Sequence, residues 1–396
     1  WLDCVIDDII QLVIKMKAVG IIAEYNPFHN GHSYQIQEIK KMFPEYPIIV
    51  VMSGNFTERG EPAIVNKWDR TKVALQNGVD LVVELPFPFA TASADLFARG
   101  AITILNALQI SHLAFGSETN DLKALQKVAR IQIHNETFDQ KVKEVLKTGI
   151  SYPKALATVT KELTGYEIGS PNDILGISYL KEIILQQANI TPIPIRRTNS
   201  YHSKTLPKGT IASATSIRHA MENQIDITNY IPKESLKNCI LHKKEDYFPY
   251  LKYQVYSSWQ TLDSFHGVDK SLANKIQTAI PNVKTIDELI QTIKTKNYTY
   301  QRLSRTLLYI LCGYKKEMAI QFQTPTYIRI LGFTKKGKQY LHEIKDSTPL
   351  PLVSRYKESE SEMLTLESQV TNIYQIHEQN AKQEYQTKPI YEKETI

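Results

Sequence analysis

Short apolar runs and helix-spaced apolar positions alternate along the first half of the chain. "KAVGIIAEYN" (17–26), "YPIIVVMSGN" (46–55), "VDLVVELP" (79–86) and "ISHLAFGSE" (110–118) are apolar over most of their length and end in turn residues. That is the pattern of strands buried on both faces. "ITPIPIRR" (190–197) is a fifth strand whose prolines predict an edge or irregular position. "HSYQIQEIKKMF" (32–43), "KWDRTKVALQNG" (67–78), "SADLFARGAITILNALQ" (93–109) and "SPNDILGISYLKEIILQQANI" (170–190) read as helices, the second closed by Gly78 and the last opened by Ser170 and Pro171. Residues 119–170 read as mostly helical and polar, and "SATSIRHAMENQ" (213–224) opens one more helix. The alternation predicts an α/β fold, a Rossmann-like doubly wound parallel sheet with helices on both faces. Right-handed crossovers then bring the C-terminal ends of the strands to one edge, where ligands bind near the reversal of strand order.

From about residue 231 the alternation stops. "YFPYLKYQVYSSW", "SLANKIQTAI", "TIDELIQTIKT" and "YTYQRLSRTLLYILCGY" are helical patterns. The expected organisation is therefore a catalytic unit over 16–230, a mostly α-helical C-terminal unit over 231–396, and a junction at "NYIPKES". One terminal helix is expected up to about 375, with the last residues frayed. Residues 1–15, "WLDCVIDDIIQLVIK", lack a basic n-region and a small-residue cleavage site, and Met16 follows them. They read as an upstream extension rather than a signal peptide. With 396 residues, the chain can hold two domains and a large core. Cys4, Cys239 and Cys312 share no CxxC or CxxH spacing, which supports neither a disulfide framework nor a zinc knuckle. No apolar run approaches the ~20 residues of a membrane span. A reducing cytoplasm is the expected setting, with no membrane and no protein partner indicated.

The chemistry concentrates where the first strand meets the first helix. "AEYNPFHNGH" (23–32) places His29 just before the helix and His32 in its first turn, with Gly31 between. Spacing of three puts both imidazoles on one side, at a helix N-terminus whose free N–H groups suit phosphate. Gly31 would let the backbone approach a ligand. A zinc site is the other reading, but HxxH supplies two ligands only and no third stands at an evident spacing. Two core histidines are the plain alternative.

"HNGH" resembles the HxGH motif of the nucleotidyltransferase branch of the HIGH superfamily, which cleaves ATP between its α and β phosphates. That superfamily has a second, Ser/Thr-rich signature ending in arginine, and "IASATSIRHA" (211–220) is similar to it. "VGIIAEYNPFHNGH", "VVMSGNFTERGEPAIVNKWDR", "GVDLVVELP", "HLAFGSE", "SPNDILGISYL" and "SATSIR" together resemble the bacterial tRNA(Met) cytidine acetate ligases, over roughly residues 16–360. The resemblance implies that acetate attacks the α phosphate of ATP, giving acetyl-adenylate and pyrophosphate. The acetyl group then passes to the wobble cytidine of elongator tRNA(Met), giving N(4)-acetylcytidine.

The same resemblance implies the roles of individual residues. Ile22, Glu24, Tyr25, Asn26, Pro27, Phe28, Asn30, Gly31 and Gln35 would form the ATP-binding turn and helix start, with His29 and His32 on phosphate. Ser213, Thr215 and Ser216 would hold the β and γ phosphates, and Arg218 the leaving pyrophosphate. Gly116 is where adenosine would rest on bare backbone. Asn172, Arg196 and Arg197 would be further nucleotide contacts. Ser53, Gly54 and Asn55 follow the second strand and are expected to line the acetate pocket. Lys67 and Arg70 read either as a solvated helix face or as groups near phosphate or RNA. Magnesium would travel on the triphosphate, without a protein metal site.

Formal net charge is +6. Residues 291–340 carry ten basic side chains against one acid, Glu317, an excess larger than that of the whole chain. Tyrosines interleave. A basic tract with aromatic residues is the footprint of nucleic-acid binding. Arg302, Arg305, Arg329, Lys335 and Lys336 are the expected RNA contacts, with "YIRILGFTKKGKQYL" (327–341) foremost. Two other readings stand beside this one: an adenylyltransferase of cofactor biosynthesis, and an RNA-binding protein with a relic ATP site.

Overall fold

A computed structural model describes residues 16–150, 152–197, 205–237, 239–296, 298–356, 361–379 and 381–393. Residues 1–15, read above as an extension, lie outside them. The elements follow the predicted order: β1 Val19–Ala23, α1 Asn30–Met42, β2 Ile48–Ser53, α2 Lys67–Gln76, β3 Leu81–Leu85, α3 Ala94–Ala107 and β4 His112–Ser117. Three helices then intervene, α4 Leu122–His134, α5 Phe138–Lys147 and α6 Tyr152–Thr164, before α7 Pro171–Leu185, β5 Thr191–Arg196 and α8 Ala214–Glu222.

The first five strands are parallel in the order β5-β4-β1-β2-β3. The chain runs outward from β1 through β2 to β3, then returns to build β4 and β5 on the other side of β1. Strand order therefore reverses between β1 and β4, and a crevice opens beyond their C-terminal ends. Alternate strand residues face opposite layers. Val50, Met52 and Val82 pack with Ile36 and Ile39 of α1 and Val73 and Ala74 of α2. Ile49, Val51, Leu81 and Val83 join the opposite core, with Ile102 and Leu105 of α3 and Ile177 and Leu180 of α7. β5 is the edge strand its prolines predict.

The C-terminal part departs from expectation. Helices dominate to residue 321: α9 Phe248–Ser257, α10 Lys270–Ala279, α11 Ile286–Ile293, α12 Tyr300–Leu311 and α13 Lys316–Gln321. The chain then returns to the sheet with β6 Ile328–Phe333, α14 Lys335–Ile344, β7 Leu352–Val353, α15 Glu362–Tyr374 and β8 Ile390–Tyr391. β6 runs antiparallel on β3, and β7 and β8 both pair with β6. The expected boundary near 230 thus does not separate two independent cores, because one apolar cluster contains residues from both halves. Buried tyrosines tie them: Tyr309 donates to Thr91 O, Tyr340 to Leu108 O and Tyr374 to Ala63 O, at 2.6, 2.7 and 2.7 Å. Residues 390–391, expected to fray, extend the sheet instead.

A cleft at the strand switch point

Beyond β1 and β4 lies a cleft of about 1170 Å³, open mouth included. Three helices, α1, α7 and α8, point their N-terminal turns at it, each offering unpaired N–H groups and a partial positive charge. His29 is the N-cap of α1. Its Nδ1 accepts the Gly31 N–H at 3.0 Å, and Nδ1 of His32 accepts the His29 N–H at 3.2 Å. The two imidazoles thus form a reciprocal capping box. Both Nδ1 lone pairs are occupied by backbone donors, so each neutral ring carries its proton on Nε2. The rings stack at 3.7 Å between centroids.

Burial holds His29 neutral, with a pKa lowered to about 3, helped by the Arg197 and Arg218 guanidiniums. Burial, His29 and Arg197 likewise push His32 well below the usual histidine range. Two uncharged Nε2–H donors, fixed in one tautomer, suit an oxygen on which charge develops. Gly31 has a different purpose from the one expected. A Cβ there would lie 2.8 Å from Cε1 and 3.0 Å from Nδ1 of His29. Glycine makes room for the imidazole, not only for a ligand.

Around this pair the structure assembles most of the expected residues. Ile22, Glu24, Tyr25, Asn26 and Gln35 line the cleft from β1 and α1; Gly116, Asn172 and Arg197 line it from β4, α7 and β5; Ser213, Thr215 and Arg218 close it from α8. Gly31 and Arg196 line an adjoining recess. Arg218 Nη1 donates to Asn26 O at 2.7 Å, binding the second signature to the first. Arg197 Nη1 donates to Asn172 Oδ1 at 3.3 Å, while Asn172 Nδ2 donates to Glu118 Oε1 at 2.6 Å. A Cβ on Gly116 would meet the Arg197 side chain in ordinary contact at 3.4 Å, so the arginine lies across the strand end beside the glycine.

Three expected contacts, Phe28, Asn30 and Ser216, are engaged within the scaffold. Phe28 is buried in the apolar core, beside Pro27, whose peptide bond with Asn26 is cis. Asn30 Nδ2 donates to Thr210 O and Asn229 O at 2.8 and 3.0 Å, strapping the segment before and after α8 to α1. Ser216 is buried with its hydroxyl 2.7 Å from that of Ser213, which also caps α8 by accepting the Ser216 N–H.

The expected acetate residues are not in the cleft. Ser53 and Asn55 are fully buried. Asn55 accepts the Lys67 N–H and donates to Thr371 Oγ1. The Ser53 and Gly54 carbonyls accept from Arg70, which also binds Glu24 O and Val65 O. Arg70 is therefore the knot that ties the ends of β1 and β2, and neither it nor Lys67 is a solvated face. Lys67 Nζ sits among Glu84 at 2.7 Å and Glu384 at 3.2 Å, and Arg329 reaches Glu384 at 3.3 Å. Burial alone would neutralise Lys67; the Glu384, Glu84 and Glu367 carboxylates hold it charged, above its ordinary pKa. Burial and the neighbouring Glu84 push Glu367 well above the carboxylate range. Oε1 of Glu367 and Oε2 of Glu84 have no other partner, and a proton held between the two carboxyls would satisfy both.

Arg329 is thus removed from the expected RNA surface, being fully buried. Lys335 is exposed and Lys336 half-buried, but both sit at the wrong edge for the cleft. Phe333 pairs with Leu81, the start of β3, and Lys336 Nζ approaches Pro44 O ahead of β2. That edge is the N-terminal one, about 15–20 Å across the strands from the histidines. Arg302 is exposed over the Tyr298 ring, and Arg305 is half-buried against Glu58 Oε1 at 2.7 Å. These two lie on the cleft side. The cleft also contains residues the motifs did not single out: Glu58 and Arg59 from the loop after β2, and an apolar wall of Phe97, Phe115, Leu175 and Tyr179. Among the described residues no group of three His, Cys, Asp or Glu side chains is placed to hold a metal ion. No helix among them is long and apolar enough to cross a membrane.

Residues 16–388 match the HIGH Nucleotidyl Transferase family. A tRNA(Met) cytidine acetate ligase of Geobacillus sp. (strain WCH70) is 43% identical, over 86% of this chain and 89% of its own length. The Bacillus subtilis (strain 168) tRNA(Met) cytidine acetate ligase is 39% identical, over 91% of this chain and 92% of its own. The crystal structure of Thermotoga maritima TmcAL bound with alpha-thio ATP superposes with a TM-score of 0.85 at 29% identity, covering 96% of this chain and all of that one. The chain therefore belongs to the HIGH nucleotidyl transferases and, within them, to the tRNA(Met) cytidine acetate ligase family.

Proposed function

We propose that the protein activates acetate with ATP and transfers the acetyl group to the wobble cytidine of elongator tRNA(Met), forming N(4)-acetylcytidine. The observation that carries this reading is the histidine capping box facing the α8 N-terminus, a phosphate cradle in a chain 37–43% identical to relatives of that one activity. An acetate oxygen attacks the α phosphorus of ATP. The bond to the β-bridging oxygen breaks, and pyrophosphate leaves with the electron pair. The exocyclic amine of cytidine then attacks the acetyl carbon, AMP leaves, and the amine loses a proton. The chain need supply no covalent nucleophile; it orients the reactants and stabilises charge.

His29 and His32 would donate Nε2–H bonds to the phosphates. Arg218 and the α8 N-terminus would take the pyrophosphate end, and Gly116 with Asn172 the adenosine end. Magnesium would travel on the triphosphate and neutralise part of its charge. The cleft carboxylates are already engaged, Glu24 by the Glu58 N–H, Glu58 by Arg305 and Glu118 by Asn172 and Arg197. The RNA would approach over α12, past Arg302 and Arg305, because an unpaired anticodon base must reach the adenylate. ATP and tRNA place the work in the cytoplasm.

Nucleoside mass spectrometry tests the whole reading. Elongator tRNA(Met) incubated with the protein, ATP and isotope-labelled acetate should yield labelled N(4)-acetylcytidine, and AMP and pyrophosphate in equal amounts. Unlabelled cytidine with the protein active on another acyl acceptor would sink it.

A further inference from the structure

The loop between β2 and α2 is held from two sides. Thr57 N–H donates to Glu61 O and Gly60 N–H to Thr57 O, at 3.0 and 2.9 Å, and Phe56 bridges Pro62. From outside, Ser304 Oγ donates to Gly60 O at 3.0 Å and Arg305 Nη1 reaches Glu58 Oε1 at 2.7 Å. Gly60 has φ +72°, and a Cβ there would lie 2.4 Å from the Arg305 nitrogen, so α12 packs directly on the turn. From inside, Glu58 N–H donates to Glu24 Oε1 at 2.8 Å, at the end of β1.

A turn fixed in this way aims Arg59 into the cleft. Its Nη2 lies 3.4 Å from Thr215 Oγ1, and Nη2 of Arg218 lies 3.5 Å from the same hydroxyl. Two guanidiniums that reach one hydroxyl at the cleft offer a polyanion seated there two charged forks of donors. The geometry points to Arg59 as a second guanidinium that, with Arg218, grips the β and γ phosphates of ATP and the pyrophosphate as it leaves. The inference rests on the ATP-cleaving reading above. When the Pα–O bond breaks, the electron pair moves onto pyrophosphate, and the added charge develops between these two side chains. Arg305 is the positioning residue: it holds Glu58, and Glu58 holds the turn that carries Arg59.

The test compares Arg59→Ala, Arg59→Lys, Arg305→Ala and the Arg59→Ala/Arg305→Ala double variant of the full chain. ATP and inorganic pyrophosphate binding are measured by calorimetry, and acetate-dependent pyrophosphate release by turnover. Arg59→Ala should lower kcat/KM for ATP about 10²–10³-fold, the effect of removing one preorganised donor. It should weaken pyrophosphate inhibition and leave KM for acetate within about twofold. Arg59→Lys should recover only part, since it keeps the charge but loses the fork. The double variant should be no worse than Arg59→Ala, because Arg305 acts through Arg59. Wild-type values for ATP and pyrophosphate in either Arg59 variant would overturn the proposal, and multiplying losses in the double variant would overturn the positioning role. A wild-type protein that binds ATP but ignores acetate would instead sink the ligase reading and leave the Arg59 measurement intact.

Discussion

At the scale of single residues, the two histidines are more constrained than an HxxH spacing suggests. Each Nδ1 accepts a backbone N–H, so each neutral ring carries its proton on Nε2, and both rings line the cleft. Removing either donor, by His29→Asn or His32→Ala, should lower acetate-dependent pyrophosphate release by about 10²-fold or more while RNA affinity stays within about twofold. Asparagine at position 29 keeps an N-cap, which separates chemistry from folding. The pH dependence has a definite sign. An unfolded histidine takes up a proton near 6.5, whereas folded His29 does so only near about 3. Between those values the unfolded chain binds more protons, so stability falls as pH is lowered from 7 towards 4. Thermal melts of wild type and His29→Asn over that range should show a shallower slope for the variant, and equal slopes would refute the neutral-imidazole assignment.

At the scale of elements, Gly31 and the buried ionic cluster show how helices and strands are aimed. Ala normally stabilises a helix over Gly by up to ~1 kcal/mol. In Gly31→Ala the new Cβ must move the His29 ring, so activity should drop at least about tenfold with no gain in melting temperature. A more stable, fully active variant would show that the ring contact does not matter. The cluster joins α2, β3, α15 and the segment before β8 through Lys67, Glu84, Glu367 and Glu384. Burial and Glu84 favour the protonated form of Glu367, so Glu367→Gln should cost less than about 1 kcal/mol. Lys67→Met leaves buried carboxylates unpaired and should cost about 3–5 kcal/mol. Denaturant midpoints of the two variants decide this, and the reverse ranking would place the charges wrongly.

At the scale of the whole molecule, the basic tract divides into three locations. Arg329 is an internal ion pair, Lys335 and Lys336 stand at the edge remote from the cleft, and Arg302 and Arg305 stand on its side. Arg302→Ala should weaken tRNA binding and reduce its salt dependence by about one counterion. Lys335→Ala/Lys336→Ala should change it much less. Filter binding across a salt series makes the comparison, and the opposite order would move the RNA to the far edge. The β6 strand explains why the tract misleads as a linear stretch. "IRILGF" is apolar enough for a strand, but its arginine finds Glu384, 55 residues further on.

The sequence by itself determined the alternation of β1 to β5 with their helices, the switch-point cleft and the two motifs that line it. Those signals are local: periodicity, caps, and residues adjacent in the chain. It also indicated, through the prolines of β5, an edge strand. Only the tertiary structure decided that β3 is covered by a strand arriving from residue 328, that Ser53 to Asn55 are scaffold, and that Lys67 and Arg70 are buried. It alone brought Arg59 opposite Arg218. These depend on partners outside the local stretch, such as Glu24 for Arg70 and Glu384 for Lys67, and a charged side chain reads the same in sequence whether its counter-ion or water will neutralise it.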